Sequence, residues 1–168
     1  MTHPFLMLCA LCLCACTSPS APPAAVVYAL RLKPGQDLNR EIQQFVAANG
    51  IEAAWVATCV GSLTEYSLRF ADQQQGSSGV GRFEILALAG TVSKHGSHLH
   101  LALGDPDGRA FGGHLLDGCR VYTTAEILLQ AAPDLVFLRE NDGSTPWQEL
   151  QIRRRTGQVP PYLPGSAQ

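Results

Sequence analysis

Hydrophobic residues change their spacing along the chain, and each change predicts a new secondary-structure element. Residues 26–32 form an apolar, β-branched run that ends at a Pro-Gly turn, which predicts a first strand. Apolar residues then recur at the spacing of a helix, at Leu38, Ile42, Phe45 and Val46. We expect Asp37 to cap the start of this helix and Asn49 and Gly50 to end it.

Strand-like segments dominate the rest of the chain. Apolar or alternating runs predict strands over 51–63, 65–71, 82–92, 97–103, 110–116, 120–130, 135–139 and 147–153. Residues 72–81 are polar and rich in glycine, and predict a loop. Strict alternation over 82–92 would place Leu86 and Leu88 on the same face. One helix followed by many strands indicates an α+β fold, a single domain with a mostly antiparallel sheet flanked by a few helices.

The chain divides by composition into four segments. Residues 1–16 are largely apolar, 17–25 are rich in Ser, Pro and Ala, 26–155 carry the predicted strands and helix, and 156–168 are rich in proline. The apolar segment is shorter than the roughly 20 residues that cross a bilayer. We interpret the four as a signal peptide, a flexible linker, one folded domain and a Pro-rich tail.

The end of the first segment resembles a bacterial lipobox. Residues 13–16 read Leu-Cys-Ala-Cys, with a small residue before the cysteine that would be lipidated. This predicts a lipid anchor at Cys16 and a place at the periplasmic face of the cell envelope. The lack of Lys or Arg before the apolar stretch, and the presence of Cys14, count against it. The alternative is a start codon assigned too far upstream and a cytoplasmic domain that begins near Val26.

Charge and cysteine content narrow the function classes. The formal net charge of −2 gives no basic field that would attract nucleic acid, and residues 153–155 are the only run of basic side chains. Four of the six cysteines lie in the first segment, so only Cys59 and Cys119 belong to the predicted domain. These two permit one disulfide without requiring it, and a buried free thiol is the simpler expectation for Cys59.

One predicted hairpin has a register that can be counted. Residues 105–108 read Asp-Pro-Asp-Gly, in which the proline and the second aspartate suit a type I turn and Gly108 can take a positive φ. This is the three-residue hairpin loop with a glycine bulge, and it pairs Asp105 with Arg109. Counting back from the turn fixes every other pair in the hairpin.

Three of the five histidines share one face of this hairpin. The register places His100 opposite His114, and His98 lies two residues along on the same face. Directly opposed Cβ atoms are about 4.5–5.5 Å apart, which lets imidazole nitrogens converge to about 2.0–2.1 Å from a zinc ion. We therefore predict a metal site of His98, His100 and His114 with an open fourth position. Zinc is the first choice, and other divalent transition metals remain as alternatives, as do three solvated histidines with no metal.

Five short stretches, taken in order, carry a family resemblance. They are Gly81–Leu86 (GRFEIL), His98–His100 (HLH), Asp105–Gly108 (DPDG), Gly112–Leu115 (GGHL) and Thr123–Glu126 (TTAE). With them, the chain from about Val27 to Glu140 resembles the plants-and-prokaryotes-conserved (PPC) domain. The resemblance implies an antiparallel sheet flanked by helices and a homotrimer. It also implies that the three histidines correspond to a metal site of prokaryotic members.

The same resemblance points to a partner-binding segment. In plant members the GRFEIL stretch lies in the region that contacts other proteins, and here it corresponds to Gly81, Arg82, Phe83, Glu84, Ile85 and Leu86. Plant members bind AT-rich DNA through AT-hook segments that precede the domain. Residues 153–157 lack the Arg-Gly-Arg-Pro core of an AT-hook, which argues against nucleic acid as a partner of this chain.

Three functions follow from these observations. The favoured one is a non-catalytic trimeric module that holds a metal and binds a small ligand or a protein partner. The second is a zinc-dependent hydrolase or lyase that uses the open metal position, with Glu126 as a general base or as a partner that orients a histidine ring. No nucleophile or oxyanion donor stands out, so the sequence leans against an enzyme. The third is a DNA-binding, transcription-associated regulator, the label of the wider family.

Overall fold

A computed structural model describes residues 24–155 of the chain. The predicted signal peptide, the lipidation site at Cys16, most of the linker and the Pro-rich tail lie outside the described residues. Within residues 24–155 no helix is long and apolar enough to cross a membrane.

Strands make up most of the described domain. In chain order the elements are β1 Val26–Leu32, α1 Leu38–Ala48, β2 Ala54–Arg69, β3 Ser77–Ser93, β4 Gly96–Gly104, β5 Ala110–Leu115, β6 Arg120–Ala131, β7 Leu135–Glu140 and β8 Glu149–Arg154. Every strand pairing is antiparallel, as predicted. The expectation of a few helices was too high, because residues 24–155 contain one α-helix.

The helix begins and ends where the sequence predicts. The Asp37 carboxylate accepts a hydrogen bond from the backbone N–H of Arg40 at 3.2 Å, the N-cap contact that stabilises a first turn. Its other oxygen accepts from the N–H of Gly118 at 2.7 Å, so this buried carboxylate also joins the helix to the turn before β6. Gly50 has a φ of +60°, the left-handed conformation that ends a helix. The apolar stripe is fully buried against the sheet and consists of Leu38, Ile42 and Val46.

The main sheet has six strands and closes partly on itself. Its order is β1-β6-β2-β3-β4-β5, and β2 and β5 also pair. In that extra pairing Leu68 lies opposite Leu115, and Arg69 lies opposite His114. The β7 and β8 strands form a separate two-stranded sheet, so the final strand pairs with β7 rather than forming an edge of the main sheet.

Strand β3 starts earlier than the sequence predicts. Residues 77–81 pair with β2 and do not belong to a loop. Their glycines are required by aromatic neighbours: a Cβ on Gly79 would lie 2.6 Å from the Tyr66 ring, and one on Gly81 would lie 2.8 Å from the Phe83 ring. The glycine-rich composition therefore reflects aromatic side chains lying over the strand.

A bulge changes which side chains of β3 enter the core. The register between β3 and β4 shifts between Ile85 and Ala87. As a result Leu88 is only 4% exposed, while Leu86 is 56% exposed. Strict alternation from the sequence would put both leucines on one face, and it fails because a bulge inserts one extra residue.

The main sheet has a covered face and an open face. The covered face packs against α1. On the open face one row of paired residues runs across four strands, in the order Gln130, Trp55, Thr91, His98. Because directly paired residues point to the same side, the histidines of β4 and β5 also belong to the open face.

Candidate metal centre

The hairpin that carries the histidines has the predicted turn and register. His100 is paired with His114. The Asp105 carboxylate accepts hydrogen bonds from the backbone N–H groups of Asp107 at 2.9 Å and Arg109 at 2.8 Å. The backbone of Asp105 also bonds to Arg109 and Gly108, and Gly108 has a φ of +79°. Local turn chemistry therefore fixes which residues of β4 and β5 face each other.

The three histidine rings meet on the open face. The Nε2 atoms of His98 and His100 are 3.2 Å apart. Ring centroids are separated by 4.9 Å between His98 and His114 and by 4.4 Å between His100 and His114. One ligand nitrogen from each residue lies within 4.8 Å of the other two.

These distances fit a transition-metal site. Two nitrogens bound to one tetrahedral zinc ion lie about 3.3 Å apart, given zinc–nitrogen bonds of roughly 2.0–2.1 Å. The His98–His100 separation of 3.2 Å is close to this value, and the third ligand nitrogen lies within 4.8 Å of the other two. The same short contact is a hydrogen bond when one of the two nitrogens carries a proton. The three histidines could therefore hold a metal ion.

The surroundings of His98 and His114 favour the neutral form of these two rings. Burial lowers the pKa of His98, and the neighbouring charges of His100 and Arg139 lower it further. Burial likewise lowers the pKa of His114, with Arg69 and His100 adding to the effect. A neutral imidazole keeps the lone pair that a metal ligand needs.

A polar cleft opens beside the histidines. Its volume is about 460 Å³, and His98 and His114 form part of its wall. The charged side chains on its wall are Arg69, Asp72, Arg139 and Glu149. The ring of Trp147 completes one side. Sequence reasoning missed these residues, because Arg69 reaches His114 only through the β2–β5 pairing and the others reach the cleft from loops and from the β7–β8 sheet.

Glycines let the strands around the site approach closely. A Cβ on Gly112 would lie 2.6 Å from the carbonyl oxygen of Leu101, and one on Gly113 would lie 2.6 Å from that of Arg69. In the sequence this Gly-Gly pair stands out only as part of the family stretch. In the structure it permits β5 to pack between β4 and the end of β2.

Glu126 is not brought to the histidines within the chain. It lies on β6 between Arg31 of β1 and Val60 of β2, and it is exposed. Strands β2 and β3 separate β6 from β4 in the sheet order. Within one chain, Glu126 is therefore not placed to act as a base or as a ring-orienting partner of the three histidines.

The predicted partner segment is split between core and surface. Phe83 and Ile85 are 9% and 4% exposed and belong to the core. Arg82, Glu84 and Leu86 are exposed, and the Arg82 guanidinium lies over the Tyr122 ring at 5.1 Å. Of the side chains in this segment, Arg82, Glu84 and Leu86 are the ones exposed on the surface.

Within residues 24–155, one histidine and two cysteines lie outside the trio. His95 lies outside the trio and contacts the Glu52 carboxylate at 2.8 Å. Cys59 and Cys119 are buried free thiols. Burial raises the pKa of Cys59 to about 12 and that of Cys119 to about 11, so neither carries a thiolate near neutral pH.

Solved structures share this fold. A hypothetical protein from Salmonella cholerae-suis is 43% identical, with a TM-score of 0.78 over 81% of this chain and 98% of that chain. The metal-containing protein AF0104 from Archaeoglobus fulgidus is 27% identical, with a TM-score of 0.66 over 80% of this chain and 99% of that chain. A plant- and prokaryote-conserved (PPC) protein from Pyrococcus horikoshii is 28% identical, with a TM-score of 0.60 over 76% of this chain and 95% of that chain.

Two curated proteins also contain a similar segment. The bifunctional protein GlmU of Synechococcus sp. strain JA-3-3Ab is 45% identical over 135 residues, which is 80% of this chain and 22% of the relative. The GlmU of strain JA-2-3B'a(2-13) is 42% identical over 139 residues. The chain spans about a fifth of the length of the curated relatives it matches, 22% in both cases.

A family model covers most of the chain. The model of the Plants and Prokaryotes Conserved (PCC) domain matches residues 20–133. This range contains the helix and the whole six-stranded sheet with its three histidines, and it ends before β7 and β8. The chain belongs to the Plants and Prokaryotes Conserved domain family.

Proposed function

We propose that this protein is a non-catalytic metal-binding module in which His98, His100 and His114 hold a zinc ion. The observation that carries the proposal is the convergence of three imidazole nitrogens on one face of a hairpin whose register is fixed by its turn. The name of the Archaeoglobus fulgidus relative, a metal-containing protein, supports it.

The donor set favours zinc with an open position. Three imidazole ligands suit zinc, and a tetrahedral ion keeps one position for water, a ligand or a group from another subunit. Within one chain, two strands lie between β4 and the strand that carries Glu126, the candidate base for a zinc-dependent hydrolase or lyase. Ligand binding is therefore favoured over hydrolysis.

Metal analysis tests this proposal directly. The protein is purified without a His-tag, and zinc per chain is measured by inductively coupled plasma mass spectrometry. We expect close to one zinc per chain, its loss in His100→Ala, and its retention in His95→Ala, because His95 contacts Glu52 instead of the trio. Full zinc retention in His100→Ala would refute the assignment.

A homotrimer is the proposed assembly. Large apolar side chains remain in water on the surface of one subunit, including Val60 at 58% exposure, Leu86 at 56% and Leu128 at 39%. Association of copies would bury such a surface. Size-exclusion chromatography with light scattering should give the mass of three chains, and Val60→Arg should lower it. A monomeric wild-type protein would reject the trimer.

DNA binding is less well supported. Two solved structures whose names assign DNA binding only provisionally are 20% and 22% identical, which shows the fold alone. In the terminal arginine run, Arg153 pairs with Glu140 and Arg154 with Asp134, which reduces the free positive charge. The GlmU relatives do not support a further activity for this chain, because the segment that it matches makes up only 22% of their length.

The lipid anchor at Cys16 is proposed on the sequence pattern alone. Metabolic labelling with a fatty-acid probe should mark the wild-type chain and not a Cys16→Ala variant. Unlabelled wild-type protein in the cytoplasmic fraction would favour the alternative start near Val26.

A further inference from the structure

We propose that the cleft beside the three histidines binds a small molecule through a carboxylate or phosphate group held between Arg69 and Arg139. The inference rests on the proposed function in one respect, because the bound molecule would be the ligand of the proposed metal-binding module. The arginine contacts themselves can be tested with or without metal.

Arg69 is held next to His114 with donors to spare. It lies directly opposite His114 in the β2–β5 pairing. Its guanidinium lies 5.4 Å from the centroid of the Trp147 ring, and its Nη1 donates to the carbonyl oxygen of Gln73 at 3.3 Å. The cation–π contact with the Trp147 ring helps to hold the guanidinium in place, and the Gln73 contact uses one of its five N–H donors.

Arg139 approaches the same cleft from the β7–β8 sheet. Its Nη2 donates to the hydroxyl of Thr91 at 2.5 Å, and Thr91 lies directly opposite His98. The side-chain stem packs against Gly96, where a Cβ would lie 3.3 Å from it. Arg139 is half-buried, and this burial lowers its pKa, while the negative charge of Glu149 partly opposes that effect. Each arginine is thus anchored beside one of the two cleft-facing histidines.

In the described part of the chain, neither guanidinium has a carboxylate oxygen within 4.0 Å. Among residues 24–155, the arginines paired with a carboxylate within 4.0 Å are Arg40, Arg109, Arg153 and Arg154. A half-buried arginine without such a partner is a ready site for an anion, because a guanidinium matches carboxylate and phosphate oxygens with paired N–H donors.

The acidic side chains of the cleft restrict where an anion can lie. Asp72 is exposed at the rim, and Glu149 is half-buried and accepts a hydrogen bond from the Thr145 hydroxyl at 2.5 Å. The wall thus carries two arginines and two carboxylates. A bound anion must contact the guanidinium groups directly, since the cleft as a whole has no strong positive field. This favours a compact oxyanion group.

The size of the cleft indicates a whole small molecule. Its volume of about 460 Å³ exceeds that of an isolated phosphate and falls in the usual range for small-molecule sites. The Trp147 ring, which is 60% exposed, offers an apolar surface for the rest of the ligand.

Tryptophan fluorescence provides the readout. The chain has two tryptophans, and Trp147 is the one that lines the cleft. Inorganic phosphate, malonate and citrate are titrated against the wild-type protein with and without added zinc, and zinc per chain is measured in each sample. We expect a saturable change in tryptophan fluorescence with at least one of the three anions. This fluorescence change should be lost in Trp147→Phe, while titration calorimetry still detects binding to that variant.

Arginine variants decide whether the contact is specific. Arg69→Gln and the milder Arg139→Lys should each weaken binding about tenfold or more, since a hydrogen bond to a charged group is lost or distorted. Arg109→Gln should bind like wild type, because Arg109 pairs with Asp107 at the exposed hairpin turn. Unchanged affinity in both cleft variants would overturn the inference.

Metal content separates the two proposals. Zinc-loaded protein that shows no saturable response to any of the three probes overturns the anion site and leaves the metal module intact. Protein that holds no zinc, yet binds a probe through the two arginines, supports the anion site and overturns the metal module. A response to malonate or citrate alone identifies a carboxylate ligand, and a response to phosphate alone identifies a phosphate ligand.

Discussion

The β4–β5 and β7–β8 hairpins meet at the cleft but are held in different ways. Strand β4 lies inside the six-stranded sheet, and its inward side chains Leu99 and Leu101 are 3% and 1% exposed. The β7 and β8 strands form their own two-stranded sheet, and the segment between them, residues 141–148, is exposed throughout. The β4–β5 hairpin is therefore part of the core, whereas the β7–β8 hairpin is a separate sheet attached to that core.

This difference assigns separate tasks to the two hairpins. The three candidate ligands, His98, His100 and His114, lie on the hairpin that is part of the core, and this hairpin belongs to the segment matched by the family model. Arg139 and Trp147 lie on the attached element, outside that segment. In such an arrangement the residues that would bind the metal lie on the main sheet, and the residues that would select the small molecule lie on a separate element. Substitutions in the separate element can then change which small molecule binds while the metal stays the same.

The largest expected effect compares the cores of the two hairpins. Leu101→Ala removes a side chain that is 1% exposed behind the histidines and should lower the free energy of unfolding by about 2–5 kcal/mol. Val136→Ala in β7 removes a half-buried side chain and should lower the free energy of unfolding by about 1 kcal/mol. Urea unfolding followed by circular dichroism measures both. Equal losses would show that β7 and β8 belong to the same cooperative core as β4.

The next prediction concerns the close contact between β5 and β2. A Cβ at Gly113 would lie 2.6 Å from the carbonyl oxygen of Arg69, so Gly113→Ala must push these strands apart. We expect a loss of about 1–3 kcal/mol in unfolding free energy and weaker metal binding, because His114 moves with the strand. Denaturant unfolding and zinc titration test it.

Gly143 in the β7–β8 connection is the matched control. It has a φ of +80°, and nothing lies within 4 Å of the site of its Cβ. Gly143→Asn should leave zinc affinity unchanged, since Asn tolerates a positive φ better than other residues. Equal zinc affinities for the Gly113 and Gly143 variants would contradict a role of the close contact in placing His114.

Local chemistry explains which features could be predicted from the sequence. The cap at Asp37 and the turn at residues 105–108 depend on neighbours in sequence, and both were predicted correctly. The His100–His114 pairing followed from that turn by counting. The bulge at Ile85 could not be counted in this way, because it is set by the pairing of β3 with β4.

Long-range contacts explain what was missed. Arg69 reaches the site only because the end of β2 pairs with β5, and Arg139 only because β7 crosses near Thr91. Neither residue has a motif, since each is a single arginine in an ordinary strand. The early start of β3 at Ser77 was missed because polar, glycine-rich sequence is typical of loops.

A smaller effect is expected where β7 is attached to the main sheet. Ser93 is fully buried, and its hydroxyl donates to the carbonyl oxygen of Phe137 at 2.7 Å. The same oxygen accepts from the backbone N–H of His95 at 3.1 Å and lies 3.4 Å from the carbonyl oxygen of Gly96. Ser93→Ala should lower the free energy of unfolding by about 1 kcal/mol and speed hydrogen exchange of the β7 amides, while the β4 amides from His98 onward stay unchanged. Ser144→Ala, in the exposed connection, is the control. Faster exchange in both hairpins would contradict an attachment that is local to β7.

The smallest effect is a pH-dependent contribution at the same junction. The Glu52 carbonyl accepts from the backbone N–H of Phe137 at 2.9 Å, while its carboxylate pairs with Lys94 at 2.5 Å and with His95 at 2.8 Å. The hydrogen bond from Lys94, followed by the contact with His95, lowers the pKa of Glu52 despite the opposing effect of burial. A lowered pKa means that the folded state favours the ionised carboxylate, so this contribution is present above the unfolded carboxyl pKa of about 4.3 and disappears as the pH falls through the folded value.

Glu52→Gln should therefore lower the free energy of unfolding by less than about 1 kcal/mol at pH 7. It should have no effect on this free energy once Glu52 is protonated in the folded wild-type protein. Urea unfolding of both proteins across the acid range measures the difference, and the Lys94→Gln background tests its cause. In the Lys94→Gln background, Glu52→Gln should lower the free energy of unfolding by less than it does in the wild-type background, because the main partner of the carboxylate is gone. A difference between the two proteins that persists or grows in acid would mean that Glu52 acts through its position beside β7 and not through its charge.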